Sequence, residues 1–150
     1  MQLNLPAYEI KVKQDKAKGR EIYDRFRRKY VRLTPEEWVR QHFLHFLCET
    51  KHYPASLVAV EKSLTINGRP RRFDAVVFGK SGTPLLLMEF KAPEVALSQA
   101  VFDQVAAYNL ALHADYLIIS NGMAHYCCKM EYATHRYRFL QDIPDFSDLE

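Results

Sequence analysis

The spacing of apolar residues changes several times along this chain, and each change marks an element. Val39, Phe43, Phe46 and Leu47 recur at helical intervals, while Glu37, Gln41, Leu44 and Cys48 form a second stripe. A helix with two such stripes is packed on both sides. Thr34-Pro35-Glu36-Glu37 starts it with an N-cap threonine, a proline at the first helical position and a glutamate at the third, a capping box. The pattern predicts a helix over 34–49. After a loop over 51–56, residues 57–66 read as a strand stopped by Asn67-Gly68. Residues 72–78 and 84–91 read as a hairpin closed by a tight loop containing Gly79 and Gly82. A second helix is expected from Pro93-Glu94 to about His113, with Leu97, Val101, Val105, Tyr108 and Leu112 at helical spacing. Residues 115–120 are apolar without alternation, as a central strand is. Asn121-Gly122 turns this strand into another over 125–131, and 137–140 adds an edge strand.

The opening third is less regular. Residues 8–13 alternate as a strand does, 14–19 form a polar turn, and 21–33 are charged, aromatic and extended in parts. The expected architecture is one domain, with a basic β-rich N-terminal extension over 1–33 and a core over 34–143. The core order α, β, β, β, α, β, with one or two further strands, places it among α/β or α+β folds with a mixed central sheet flanked by helices. A chain of 150 residues suits a single domain.

Net charge is only +3, but it is unevenly spread. Between Lys11 and Arg32 lie ten Lys or Arg and three acids, interleaved with Tyr23, Phe26 and Tyr30. That suits phosphate contacts and stacking on a nucleic acid, and equally a solvated edge hairpin. Three cysteines without CxxC spacing offer neither a disulfide framework nor a zinc site. Alternation puts the adjacent Cys127 and Cys128 on opposite strand faces, as buried thiols. His42 and His45 lack a third ligand at a diagnostic spacing. No apolar run approaches the roughly 20 residues of a membrane span, and no signal peptide opens the chain. A cytoplasmic protein with no membrane partner is expected.

The chemistry concentrates on the hairpin. If it is symmetric about the Ser81–Gly82 step, Asp74 falls opposite Glu89, with Cβ atoms about 4.5–5.5 Å apart. Two carboxylates that close repel unless a proton or cation lies between them. Lys91 shares a strand face with Glu89. Two carboxylates, the backbone carbonyl of Phe90 and a lysine on one surface suit Mg²⁺, with Mn²⁺ as an alternative, and a phosphoryl substrate. The competing reading is a strand-end salt bridge between Lys91 and Glu89.

Asp74 followed by Glu89-Phe90-Lys91 resembles the PD-(D/E)XK nuclease superfamily, and Gln104-Val-Ala-Ala-Tyr108 is similar to the QxxxY motif of its RecB-like branch. More narrowly, LTPEEWVRQHF, YPASLVAVEK, MEFKAPEV and NGMAHYCCK are similar to the type I restriction enzyme R-protein N-terminal family, over roughly residues 22–143. The resemblance implies a restriction-endonuclease-like αβββαβ core and magnesium-dependent hydrolysis of DNA phosphodiesters. It casts Asp74 and Glu89 as metal ligands, Lys91 as the catalytic lysine, and Gln104 and Tyr108 as residues organising DNA or the site. Some superfamily members add a glutamate from the first helix, for which Glu37 is the candidate and Glu61, in the next strand, a weaker one. Phe73 stands where the superfamily has proline. No Walker A motif occurs in the chain, so a helicase, translocase or specificity subunit is an expected partner. Two readings stand beside hydrolysis: a catalytically inactive DNA-binding or assembly module, and a homodimer built on the aromatic N-terminal third.

Overall fold

The computed structural model describes residues 2–149. Strands β1 (Val12–Asp15), β2 (Gly19–Asp24) and β3 (Lys29–Arg32) form a small antiparallel sheet. Helix α1 (Pro35–Glu49) follows. A six-stranded sheet is then built from β4 (Val58–Ile66), β5 (Arg69–Phe78), β6 (Pro84–Phe90), β7 (Tyr116–Ser120), β8 (His125–Glu131) and β9 (Arg136–Leu140), in that order. Only β6 and β7 are parallel, and helix α2 (Gln99–Leu112) makes the crossover between them, as a parallel pair requires. A short helix α3 (Phe146–Leu149) closes the described chain. The result is a mixed α/β fold.

The two faces of the large sheet carry separate cores. Val39, Phe43, Leu44 and Leu47 of α1 pack with Ala75, Val77, Leu86, Met88, Phe90 and Ile118. Phe102, Val105 and Leu112 of α2 pack with Val76, Leu87, Leu117 and Ile119. Each side chain fully buried in this way contributes about 1.5–3 kcal/mol. Strand β7 is buried at every position, which explains why its sequence lacks alternation. Cys127 joins the α1-side core and Cys128 the α2-side core, as their adjacency requires. Burial pushes their thiols up to about 12 and about 11.

Helix α1 begins as its sequence indicates. The Thr34 hydroxyl accepts the Glu37 amide at 3.0 Å. The Glu37 carboxylate does not complete the box. Its hydrogen bonds, among the described residues, go to Arg27, Arg40 and Gln41. Thr34→Ala therefore removes one cap bond, worth about 1 kcal/mol. The melting temperature measured by circular dichroism is expected to fall by about 2–4 °C.

Two elements differ from their sequence expectation. Helix α2 starts at Gln99, not at Pro93-Glu94. Residues 92–95 make a turn, with Val95 N–H donating to the Ala92 carbonyl at 3.0 Å, and the Asn121 side chain holds the Val95 carbonyl at 2.8 Å. Ser98, a favoured N-cap residue type, takes the extended N-cap conformation. The first strand lies at Val12–Asp15 and not over 8–13. Asp15 Oδ1 accepts the Ala17 and Lys18 amides at 2.8 and 2.9 Å. That turn sets the register from Asp15–Gly19 back to Val12–Ile22.

Candidate active site

Strands β5 and β6 pair Ala75 with Met88, Val76 with Leu87 and Val77 with Leu86. Continued by one residue, this register sets Asp74 opposite Glu89, as the symmetric hairpin requires. The ladder opens at that point. The Phe90 amide donates to the Asp74 carboxylate at 2.7 Å instead of to a backbone carbonyl. In an extended strand the N–H and C=O of one residue point to the same side, so the Phe90 carbonyl is directed into the opened space. The Lys91 amide points the other way, to the Ser120 carbonyl of β7 at 2.9 Å.

The backbone around Asp74 is irregular. Ala75 and Val77 feed the α1-side core, whereas Phe73 and Val76 feed the other, so strict alternation breaks between Phe73 and Ala75. Across the β4–β5 pair, Val60 meets Ala75 and Lys62 meets Phe73, which leaves Glu61 facing Asp74. Glu61 has φ 58°, in the left-handed region that non-glycine residues seldom occupy. The break turns Asp74 toward α1, where it lines an open cleft of about 310 Å³ with Glu36, Glu37, Arg40, Glu61 and Phe90. Arg27 and Arg32 of the small sheet form another part of the wall.

Arg40 is the hub of this cleft. Its guanidinium grips both oxygens of Glu37, donates to Glu61 at 2.7 Å and lies 3.9 Å from an Asp74 oxygen. Glu37 is held from the other side by Arg27 at 2.9 Å and by Gln41 at 3.0 Å. Burial alone raises a carboxyl's pKa, but these partners win and hold Glu37 below its ordinary range. Glu37 is thus neutralised within the wall. Its neighbour Glu36 is exposed in the cleft, and its negative charge acts on both Asp74 and Glu89.

Asp74 and Glu89 are both pushed up, chiefly by burial. For Glu89 the nearby Asp74 charge adds to the effect, which carries it to about 8 against the pull of Lys91. The register sets the two carboxyls close enough for the Asp74 charge to act on Glu89. Among the described residues no carboxylate lies within ion-pair distance of the Lys91 ammonium. A Lys91–Glu89 salt bridge is therefore not what fills this corner.

Gln104 and Tyr108 come together, with the amide donating to the phenol oxygen at 3.2 Å, and the Arg71 guanidinium sits 5.2 Å from the Tyr108 ring centre. Neither lines the cleft of Asp74, and neither do Glu89 and Lys91, whose neighbours Met88 and Phe90 belong to the α1-side core. No group of three or more His, Cys, Asp or Glu converges as a metal cluster among the described residues. No helix among them is long and apolar enough to cross a membrane.

The family described as type I restriction enzyme R protein N terminus (HSDR_N) matches residues 35–144. This chain belongs to that family. A search of curated proteins finds no match. A solved structure from Vibrio vulnificus YJ016, a fragment assigned as an HsdR subunit of a type I restriction enzyme, superposes with a TM-score of 0.57 at 18% identity. The match covers 78% of this chain and 24% of that one, so this chain spans about a quarter of its length. The likeness is one of fold. The match to the R-protein N-terminal family begins after the small sheet of Arg27 and Arg32, so those two arginines lie outside it.

The donor set of this family member fits a divalent cation. Two opposed carboxyls repel once both are ionised, and a cation between them removes that cost. The Phe90 carbonyl faces the same opening. Without a cation, Glu89 keeps its proton in the folded chain up to about pH 8, against an ordinary value of 4.5. The stabilisation relative to full ionisation is complete below pH 4.5 and is lost as pH rises through 8. In thermal unfolding without divalent metal, Glu89→Gln is expected to melt above wild type at pH 8.5 and to match it near pH 5. Magnesium is expected to raise the wild-type melting temperature more at pH 8.5 than at pH 6, and not to raise that of Glu89→Gln. Equal shifts at both pH values would overturn the assignment of the carboxyl pair as cation ligands.

Proposed function

We propose that this domain hydrolyses DNA phosphodiester bonds with magnesium, or manganese, as cofactor, on a restriction-endonuclease-like core. The observation that carries this reading is the opened β5–β6 ladder. The reading is supported by the Phe90 amide turned to the Asp74 carboxylate, by a register that continues to Asp74 opposite Glu89, and by a Lys91 ammonium with no ion-pair partner among the described residues. Family membership supports DNA as the substrate class, since R proteins belong to restriction enzymes.

Asp74, Glu89 and the Phe90 carbonyl would hold the cation, which when bound lowers the pKa of a water and offsets charge on the phosphoryl oxygens. The Phe90 amide fixes Asp74 in its rotamer, so the carboxylate is oriented before substrate arrives. Lys91 orients the attacking water or hydroxide and offsets the charge that develops in the transition state. Glu36 lies in the cleft beside the pair and is the helix carboxylate available to the reaction, because Glu37 is bound within the wall. Gln104 and Tyr108, fixed to each other on α2, organise the approaching strand from outside the cleft. A motor or specificity chain is the proposed partner for translocation.

The test is direct. Purified protein incubated with linear and supercoiled duplex DNA is expected to cut in magnesium or manganese and not in EDTA. Cutting that persists in EDTA, or protein that leaves DNA intact in both metals, would reject the reading.

A further inference from the structure

Beyond the candidate site, the β4–β5 pair continues as a two-stranded ribbon that no third strand joins among the described residues. Strand β6 pairs β5 only from Ala75 onward, while β4 and β5 pair for five more rungs, from Lys62–Phe73 to Ile66–Arg69. At about 3.4 Å per residue the ribbon is roughly 17 Å long. Asn67 and Gly68 close it with φ values of 52° and 76°, the paired left-handed geometry that matches the twist of a hairpin.

Its charge is of one sign. Residues 62–73 carry Lys62, Arg69, Arg71 and Arg72 and no acid. All four side chains are exposed, and only Leu64 and Ile66 pack back against the α2-side core. The base of the ribbon is tied to the site. Arg72 lies 3.4 Å from Glu61, the partner of Arg40, and Arg71 sits over the ring of Tyr108. Like charges on neighbouring rungs repel. Inside the domain Glu61 offsets Arg72, and the rings of Tyr108 and Phe78 lie under Arg71 and Lys62, while Arg69 at the ribbon's tip has no ion pair among the described residues.

We propose that this ribbon is a duplex-DNA arm that enters the major groove beside the phosphate that would meet the cation at Asp74 and Glu89. The proposal rests on the reading of DNA as partner. A two-stranded ribbon fits a groove about 12 Å wide and 8.5 Å deep. Lys62, Arg69 and Arg71 share the face of Leu64 and Ile66, which packs toward the α2-side core, and Arg72 lies on the other, so exposed cations emerge from both sides of the ribbon. A single strand has no groove to receive such an element. The arm starts one residue before Asp74, so seating it sets which phosphate reaches the carboxyl pair.

The experiment measures binding of a fluorescein-labelled 30-base-pair duplex, and of one of its strands, in EDTA over a salt series. Each phosphate contact contributes about 0.9 to the slope of log K against log salt. Lys62→Ala/Arg69→Ala removes two exposed cations that have no ion pair among the described residues. The duplex slope is expected to become shallower by about 2, with affinity weakened alike for unrelated sequences. Arg136→Ala/Arg138→Ala removes the same charge from β9, at the opposite edge of the sheet, and is expected to leave the slope unchanged. An unchanged slope in the ribbon variant, equal changes in both variants, a loss confined to the single strand, or absence of duplex binding by wild type would overturn the arm. Cleavage is read separately. A protein that binds through the ribbon but never cuts refutes hydrolysis and keeps the arm, and one that cuts with an unchanged slope does the reverse.

Discussion

Asp74→Asn is expected to abolish metal-dependent cleavage while leaving the fold intact. The substitution keeps the shape and one oxygen for the Phe90 amide, which the carboxylate now holds at 2.7 Å. It removes the negative charge that a cation between Asp74 and Glu89 requires. Losing one such electrostatic element costs about 10²–10³-fold in rate, and losing a ligand that also places the cation costs at least as much. Lys91→Ala is expected to do similar damage for a different reason. Its ammonium has no carboxylate within ion-pair distance among the described residues, so removing it breaks no ion pair; it withdraws the charge presented to substrate and the pull that favours ionised Glu89. The two variants differ in metal binding. Calorimetric titration with magnesium should lose its heat in Asp74→Asn and keep it in Lys91→Ala. Asp74→Asn should also relieve Glu89, whose rise to about 8 owes its second contribution to the Asp74 charge. The Glu89 carboxyl, followed by carbon-labelled NMR, should then titrate lower in this variant. Cleavage within tenfold of wild type in either variant would remove these residues from the reaction.

The pair was legible because hairpin register is arithmetic. A turn centred at Ser81–Gly82 predicts each opposed pair; the structure shifts by one between Val77 and Phe78 but keeps the predicted register from Val77–Leu86 to Ala75–Met88, one step from Asp74–Glu89. The opposite faces of Cys127 and Cys128 were legible for the same reason, a period of two. The start of α2 was not, because proline and glutamate after a strand look like the first turn of a helix, whereas Pro93 and Glu94 sit in a turn that Asn121 holds from 26 residues away. Arg40 was invisible for a related reason. An arginine three residues after a glutamate reads as a solvated surface pair. Its burial comes from β4, β5 and the small sheet, none of which lies near it in sequence. The carboxylate of Glu37 differs for want of the same information: the capping-box pattern gives it to the helix start, whereas tertiary contacts give it to Arg40, Arg27 and Gln41. Local rules located the elements and the facing carboxyls. The electrostatic wall behind them is a product of assembly.

Removing that wall should be the most costly single change to stability. Arg40→Ala is expected to destabilise the domain by about 3–5 kcal/mol, the usual cost of breaking a buried charge network from one side. The guanidinium is 9% exposed, so its loss leaves Glu37 to Arg27 and Gln41, and Glu61 to Arg72 alone. Arg40→Lys keeps the charge but not the fork that grips both Glu37 oxygens, so it should fall between. The pH dependence separates this account from lost packing. Glu37 is held below its ordinary value of 4.5; the stability this contributes is present above that value and lost as pH falls through the depressed one. Urea unfolding of wild type should therefore weaken on acidification below about pH 4.5, and Arg40→Ala should weaken less steeply, since Glu37 retains only Arg27 as a cationic partner. Asp74 loses a neighbouring positive charge in the same variant, so its carboxyl should ionise less readily and magnesium should bind more weakly at neutral pH. A variant as stable as wild type to within about 0.5 kcal/mol would mean that Arg40 is a solvated surface group, and that the orientation of Asp74 rests on the Phe90 amide alone.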